Sequence, residues 1–380
     1  MQKEEIHKHN IFLIDPKNIV LSGGLDTLNR HKIYADRVGK IKSNSQVNEF
    51  RVICSYDYKY ENLMNKYAYL VPIKKLKLEK HFCFIFYIFK TLKNYHSDSI
   101  LLISGDPWQA AFYCLIVKFF IKKNIQVQIQ VHADIGDNSW KKRSLKNHIK
   151  FWISIFTLRK ADSVRCVTNA QLEKIERKLR IDHKKLITSG IIYNIPSGKS
   201  KRNKIFKAPT IGFIGRLDID RGLWDFLKIV TKLNQSEVKF DIKVAGDGKF
   251  QSKFIQKLKE VNHGDVDYMG QMSSLEISHF WDAINLCIFT APTESFGRAM
   301  RESLSYKVPI WAINSSGFED LKSRFSVDEL MEIRVSDSKE LLEQKLKKSL
   351  NLKIDYDYAD YFKREQNMDL DNLINSWIKY

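Results

Sequence analysis

Hydrophobic and polar positions along the 380 residues form two alternating series. Short runs rich in Ile, Val, Leu and Phe are followed by segments whose apolar residues recur every three or four positions. In the first series IFLI (11–14), FRVICSY (50–56), SILLISG (99–105), VQIQVHA (127–133) and SVRCVT read as strands. DTLNRHKIYADRV, KHFCFIFYIFKTLKNY, WQAAFYCLIVKFFIKK, SLKNHIKFWISIFTLRKA and NAQLEKIERKLR read as helices between and after them. Strands this apolar are buried on both faces, as in a parallel sheet whose crossovers are helices. The second series runs TIGFIGR, FDIKVAG, VDYMG, NLCIFTAP and VPIWAI as strands, with LWDFLKIVTKL, KFQSKFIQKLKEV, SLEISHFWDAI and GRAMRESLSYK as helices. The alternation predicts an α/β chain of two doubly wound, Rossmann-like halves. IPSGKSKRNKIFKAP (195–209), rich in Pro, Gly, Ser and basic residues, reads as the linker between them. The expected domains are therefore 1–195 and 196–355, with 356–380 as C-terminal helices packing back on the first domain.

Composition narrows the class. Hydrophobic residues at 44% exclude disorder, and 16 Gly with 7 Pro exclude collagen-like architectures. The start, MQKEEIHKHN, has no signal-peptide pattern. The longest apolar runs, such as FCFIFYIF (82–89), are shorter than the ~20 residues that span a bilayer. A cytoplasmic location is expected. Five cysteines (Cys54, Cys83, Cys114, Cys166, Cys287) lie at least 29 residues apart, which excludes C-x-x-C chemistry and leaves buried free thiols. Against 44 acidic residues stand 63 Lys and Arg, a net charge of +19. Nucleic acid, an anionic membrane surface and a phosphorylated substrate would all be attracted.

Chemistry concentrates at strand ends. In TESFGRAMRESLSYKVP (293–309), Glu294 closes a strand and Glu302 lies in the second turn of the following helix. Ser295, Phe296 and Gly297 lead into that helix, whose N-terminus suits phosphate oxygens. The carboxylates suit sugar and ribose hydroxyls; a surface helix with an acidic cap is the plain alternative. In IGFIGRLDIDRGLWDF (211–226), Arg216 and Arg221 bracket a loop and offer guanidiniums for a diphosphate. Asp218 and Asp220 alternatively make them a solvated ion-paired set. Gly24, in SGGLDTLNRH, permits close backbone approach to a ligand. His132 and Asp134, in VHADIGDNSW, follow an apolar strand, and Asp106 follows another in SGDPWQAA. No H-E-x-x-H, G-x-S-x-G, Walker or G-x-G-x-x-G pattern occurs.

In collinear order, GRLDIDRG, ESFGRAMRE, SYKVPIWA and SSGFED resemble the retaining nucleotide-sugar glycosyltransferases of the GT-B fold, in the large family four. SGDPWQAA, QVHADIGDNSW and ADSVRCVTNAQLEKI are similar, more weakly, to bacterial members that build surface polysaccharides. The resemblance implies two domains facing across a cleft, and transfer of a sugar from a nucleotide diphosphate donor with retention of configuration. The acceptor would be a glycan or lipid-linked glycan hydroxyl. It implies that Arg216 and Arg221 bind the donor diphosphate, though the family more often has Lys at the second position. Glu294 would contact the transferred sugar beside the amides of Ser295, Phe296 and Gly297, and Glu302 would hold the ribose. Gly24 would approach the phosphates, and His132 would sit beside the reacting sugar, where Ala133 replaces a commoner Gly. Asp134 and Asp106 would lie on the acceptor side. The resemblance implies no cofactor and no metal, and the leaving phosphate would help to deprotonate the acceptor.

Two other classes compete. A nucleic-acid-binding protein would use the charge of +19, but no such motif occurs and basic residues are spread over both halves, so no nucleic acid is expected. A non-catalytic glycan- or nucleotide-binding protein is opposed by the presence of Arg216, Glu294 and Glu302. The segments 74–90 and 141–160 interleave basic and aromatic residues, among them Phe151, Trp152, Ile153, Ile155, Phe156 and Leu158. They predict docking on the inner face of an anionic membrane, unless these aromatics pack into the core instead.

Overall fold

The computed structural model describes residues 7–41, 46–73, 80–93, 99–121, 124–195, 208–273, 276–325 and 327–379. Most of the linker read at 195–209, and residues 74–79 of the first basic-aromatic segment, lie outside them. The chain divides into two units, Met1–Tyr193 with Asn367–Tyr380, and Asn194–Gln366.

Among the described residues, the first unit holds a sheet of seven strands: β1 (His7–Asp15), β2 (Gln46–Ser55), β3 (Leu70–Ile73), β4 (Ser99–Ser104), β5 (Ile125–Val131), β6 (Ser163–Cys166) and β7 (Leu186–Thr188). Every pairing is parallel, in the order β3-β2-β1-β4-β5-β6-β7. Side chains alternate between two cores, as the pleat requires. Phe12 and Ile14 of β1, with Ile100 and Leu102 of β4, enter one; Ile11 and Leu13, with Leu101 and Ile103, enter the other. Each such fully buried side chain contributes about 1.5–3 kcal/mol. One face is covered by helices that include Lys80–Lys93, Gln109–Phe120 and Leu145–Lys160, the opposite face by Gly24–Lys40 and the end of the C-terminal helix.

The second unit repeats the plan with six strands: β8 (Thr210–Ile214), β9 (Asp241–Ala245), β10 (Val266–Gly270), β11 (Leu286–Phe289), β12 (Ile310–Ala312) and β13 (Leu330–Glu332). Their order is β10-β9-β8-β11-β12-β13, again all parallel. Strand order therefore reverses between β1 and β4 in one unit and between β8 and β11 in the other. At such switch points the loops beyond the strand ends diverge and leave a crevice for ligands. The sequence reading of two doubly wound Rossmann-like domains is what the structure contains.

The C-terminal segment is one helix, Tyr358–Ile378, where several were expected. Tyr358 and Phe362 pack into the core of the second unit; Leu373, Ile374 and Trp377 pack into that of the first. Trp377 Nε1 donates to Gln128 Oε1 at 2.8 Å, which fixes this end against β5.

Candidate active site

In the second unit the site is built from backbone outward. Gly215, just after β8, has φ 149°, and a Cβ on Gly246 would lie 1.9 Å from the Gly215 carbonyl oxygen. The strand-end loops of β8 and β9 are thus packed main chain to main chain. Arg216 projects from this support. It is exposed, donates to Asp220 Oδ2 at 2.9 Å and lies 3.5 Å from Asp218 Oδ2.

Gly222 has φ 72°, and a Cβ there would lie 2.0 Å from the Thr290 carbonyl oxygen. Thr290 Oγ1 also donates to the Gly222 carbonyl at 2.8 Å. Only glycine allows this left-handed, close approach, which ties the loop after β8 to the end of β11. One residue earlier, Arg221 consequently reaches Glu294: Nη1 donates to Oε2 at 2.6 Å. Arg221 Nε is buried and without a partner among the described residues. Glu294 Oε1 accepts from the Gly297 N–H at 3.2 Å. Gly297, at φ 71°, caps the helix Arg298–Ser305 with no side chain on the cap. Ser295 and Phe296 are buried in the turn before it. Glu302, partly buried one turn into the helix, is 3.4 Å from Arg298 Nε.

The residues predicted for the donor within this unit (Arg216, Arg221, Glu294, Ser295, Phe296, Gly297 and Glu302) thus follow β8 and β11, the two strands flanking the switch point. The two arginines behave differently. Arg216 is the solvated, aspartate-matched residue of the plain alternative. Arg221 belongs to an ion pair with Glu294. A carboxylate has about four lone-pair positions, so two accepted bonds leave Glu294 able to accept sugar hydroxyls.

Arg301 was not singled out in the sequence, and it is the residue that holds this turn. Its side chain is wholly buried, donates to the Phe296 carbonyl and to Asp320 Oδ2 at 2.7 Å, and stacks its guanidinium 4.0 Å from the Phe296 ring centroid. Arg324 completes the cluster, with Nε 2.9 Å from Asp320 Oδ2 and an ion pair to Glu365. Two guanidiniums and two carboxylates balance, which is what makes burial of the charges tolerable. The signal in sequence was only an Arg on the inner face of an amphipathic helix. Gly317 adds a second support: a Cβ there would lie 2.7 Å from the Phe296 carbonyl carbon, and its N–H donates to the Glu294 carbonyl at 2.7 Å.

In the first unit the predicted residues follow β1, β4 and β5. Gly24 is exposed, has φ 76°, begins the helix Gly24–Lys40, and has open space where a Cβ would be. Asp106 is engaged locally: its Oδ1 accepts from the Trp108 and Ala110 N–H groups at 3.0 and 3.2 Å, starting the helix after β4. Lys17 Nζ lies 3.7 Å from its other oxygen. Asp134 is buried, and its carbonyl closes a turn with Asp137.

His132 lies just past β5, with Nε2 3.2 Å from Gln130 Oε1, an atom that also accepts from Arg165. Its ring reaches solvent, yet surrounding protein first, then the charges of Arg165, Arg30 and His31, hold its pKa down to about 3. His132 is therefore neutral near pH 7, able to hydrogen-bond but carrying no charge. Two residues at this switch point escaped the sequence reading. Asp15, buried at the end of β1, accepts from the Ile19 and Val20 N–H groups at 2.9 and 2.8 Å, while burial raises its pKa. Asn18 takes the left-handed conformation at φ 57°, with its Oδ1 buried and unpartnered among the described residues.

Among the described residues, no group of three or more His, Cys, Asp or Glu is placed to hold a metal ion.

Two parallel-sheet Rossmann-like domains of this kind are the fold of GT-B glycosyltransferases. Residues 197–365, within the second unit, match the family model described as glycosyl transferases group 1. Solved structures agree on the fold. The apo form of the lipopolysaccharide outer core galactosyltransferase WaaB matches with a TM-score of 0.72 at 14% identity, over 97% of this chain and 99% of that one. Anabaena HepE in complex with UDP gives 0.65 at 15% identity, over 98% of each chain. A glycosyltransferase from Rickettsia africae gives 0.61 at 16% identity, over 97% and 94%. No curated protein matches the chain in sequence.

Proposed function

We propose that this protein transfers a glycosyl group, with retention of configuration, from a nucleotide diphosphate-sugar to a hydroxyl of a glycan or lipid-linked glycan acceptor during surface-polysaccharide synthesis. The observation that carries the reading is the strand-end arrangement of Arg216, Arg221, Glu294 and the Gly297-capped helix, within the span of the family match. UDP in the HepE complex and the galactosyltransferase activity in the WaaB name favour a nucleotide-sugar donor and a polysaccharide product.

The chemistry follows from charge. Breaking the anomeric C–O bond leaves negative charge on the departing diphosphate and positive character on the sugar. Arg216 and Arg221, with the uncapped N–H groups of the helix Arg298–Ser305, are set to stabilise that oxygen. Arginines in this role make the transfer independent of a metal ion. Glu294 would hold hydroxyls of the transferred sugar, and Glu302 the ribose. Gly24 would admit the phosphates at the first domain, and neutral His132 would hydrogen-bond near the reacting centre. Asp106 and Asp134 would serve the acceptor, although the engagement of Asp106 in starting a helix makes it a weaker candidate than Asp134. We place the reaction in the cytoplasm, where free buried thiols such as Cys54, Cys114, Cys166 and Cys287 stay reduced.

A donor screen across UDP-, GDP- and ADP-sugars tests this, by thermal shift and by release of the nucleotide diphosphate with and without EDTA. One nucleotide class should stabilise the protein and be consumed, and consumption should be lost in Glu294→Gln. No shift and no release with any donor would overturn the assignment. The anomeric configuration of the product, read by NMR, tests retention.

A further inference from the structure

The helix Leu145–Lys160 carries two apolar stripes where a surface helix needs one. Phe151, Ile155 and Leu158 face the sheet and join the first core. Leu145, Ile149, Trp152, Ile153 and Phe156 are exposed, with Leu145 at 78% and Trp152 at 58%. At about 100° per residue these five span roughly 100° of the helix circumference, opposite the buried stripe. The expectation from sequence thus divides: half of the aromatic segment is core and half faces outward.

Neighbouring helices extend the outward face. Gln109–Phe120 packs against both Lys80–Lys93 and Leu145–Lys160. From the first of these come exposed Phe112, Phe119 and Phe120, from the second exposed Phe86. Burial in the core explains Phe84, Ile88, Leu92, Tyr113, Val117 and Leu158 of these helices, not these nine. Isolated surface apolar residues need no explanation, but a contiguous group does.

Charge selects the occupant. Residues 80–93, 109–120 and 138–160 contain 11 Lys or Arg and no Asp or Glu. Elsewhere the chain mixes both signs, 63 against 44 overall. A second copy of this face would meet its own positive charge. Nucleic acid would satisfy the charge, but exposed Leu145, Ile149 and Ile153 find no apolar interior there. An anionic bilayer satisfies both, because phosphates meet the basic residues while side chains enter the acyl boundary. Among the described residues no helix is long and apolar enough to cross a membrane, so the contact lies in the plane of the surface.

We propose that this helical face docks the protein on an anionic lipid surface, with Trp152, Phe156, Phe119 and Phe120 as apolar anchors inside a basic field. The proposal is independent of the transfer reaction.

Co-sedimentation with phosphatidylglycerol–phosphatidylcholine vesicles, against pure phosphatidylcholine vesicles, at low and high salt, tests it. The full chain should bind the anionic vesicles at low salt and release with added salt. Replacing Lys141, Lys142 and Arg143 together with Gln should weaken binding about a hundredfold, at about 1 kcal/mol per basic residue near the surface. Trp152→Ser with Phe156→Ser should abolish retention while circular dichroism is unchanged, since both positions are exposed. Donor hydrolysis in the absence of lipid should persist in all these variants, separating this face from the active site. Equal binding to neutral vesicles, absence of binding, or undiminished binding by the Trp152/Phe156 variant would overturn the proposal. So would a dimer in light scattering that Phe119→Ser with Phe120→Ser dissolves, or an RNA affinity that the Trp152/Phe156 variant loses.

Discussion

Arg301→Met is expected to damage stability and donor affinity together, because one buried guanidinium serves both. The substitution keeps most of the aliphatic stem but removes one of two positive charges from a cluster with two carboxylates. Arg324, partly exposed, would be left to serve both Asp320 and Glu365. Asp320, almost wholly buried, would lose its 2.7 Å partner. Removing one member of a buried charge cluster costs about 3–5 kcal/mol. At about 2–4 °C per kcal/mol for a unit of this size, the melting temperature should fall by about 10 °C. The Phe296 carbonyl would lose its donor as well, loosening the turn Ser295–Gly297 that aims the helix N-terminus. Donor KM should therefore rise more than kcat falls. Thermal unfolding and a cycle with Asp320→Leu measure this. The double variant leaves Arg324 with Glu365 and should be less destabilised than the sum of the singles. A melting temperature within about 2 °C of the parent for Arg301→Met, or strict additivity in the cycle, would refute the claim that the cluster acts as a unit.

Three further outcomes follow from the geometry. Arg216→Ala should leave stability within about 0.5 kcal/mol, since its aspartate pairs are exposed, while donor KM rises and kcat falls; unchanged kinetics in a folded variant would remove Arg216 from the site. Gly222→Ala should cost at least about 2 kcal/mol in urea unfolding, from a left-handed backbone and a Cβ 2.0 Å from the Thr290 carbonyl oxygen. Gly24→Ala, equally left-handed but with open space, should cost about 1–2 kcal/mol; equal losses would show that the Thr290 contact is unimportant. Buried His31, held down to about 3 by burial, then by Arg30, binds no proton in the folded state where the unfolded chain does. Its contribution is present above the ordinary pKa of 6.5 and is lost as pH falls toward 3, with about 1.4 kcal/mol gone near pH 5.5. His31→Gln should flatten that part of the stability–pH curve. His9 and His132, also lowered, keep the remainder.

The fold was largely legible because parallel sheets bury both faces of their strands. IFLI, SILLISG and NLCIFTAP have no reason to be so apolar outside such a sheet, and their crossovers repeat at helical period. What escaped is short or at an edge. β3, with the sequence LVPI, carries Pro72, which an edge strand tolerates but a sequence reading demotes. β7 and β13, of three residues each, are defined by pairing with a neighbour and not by their own pattern. The single C-terminal helix was read as several because Tyr and Asp dilute its periodicity, while its two ends belong to different cores.

The candidate donor residues could be named one at a time from the sequence, but not their relations. Sequence placed Arg221 and Glu294 in separate roles, one for phosphate and one for sugar, 73 residues apart. In the fold they share a 2.6 Å ion pair because Gly222 lies against Thr290. That close approach depends on φ and on an absent Cβ, neither of which has a hydrophobic or charge pattern to announce it. The pairing also changes what each residue can do. Glu294 fixes one fork of Arg221 and is itself fixed by the Gly297 amide, so in the proposed donor site neither would need to be ordered when a donor arrives. Less of the binding free energy is then spent on immobilising rotamers. If the pair exists for that purpose, Arg221→Lys, which retains the charge but not the fork, should lose donor affinity without losing stability; equal donor affinity in the Lys variant would mean that charge alone is what the site requires.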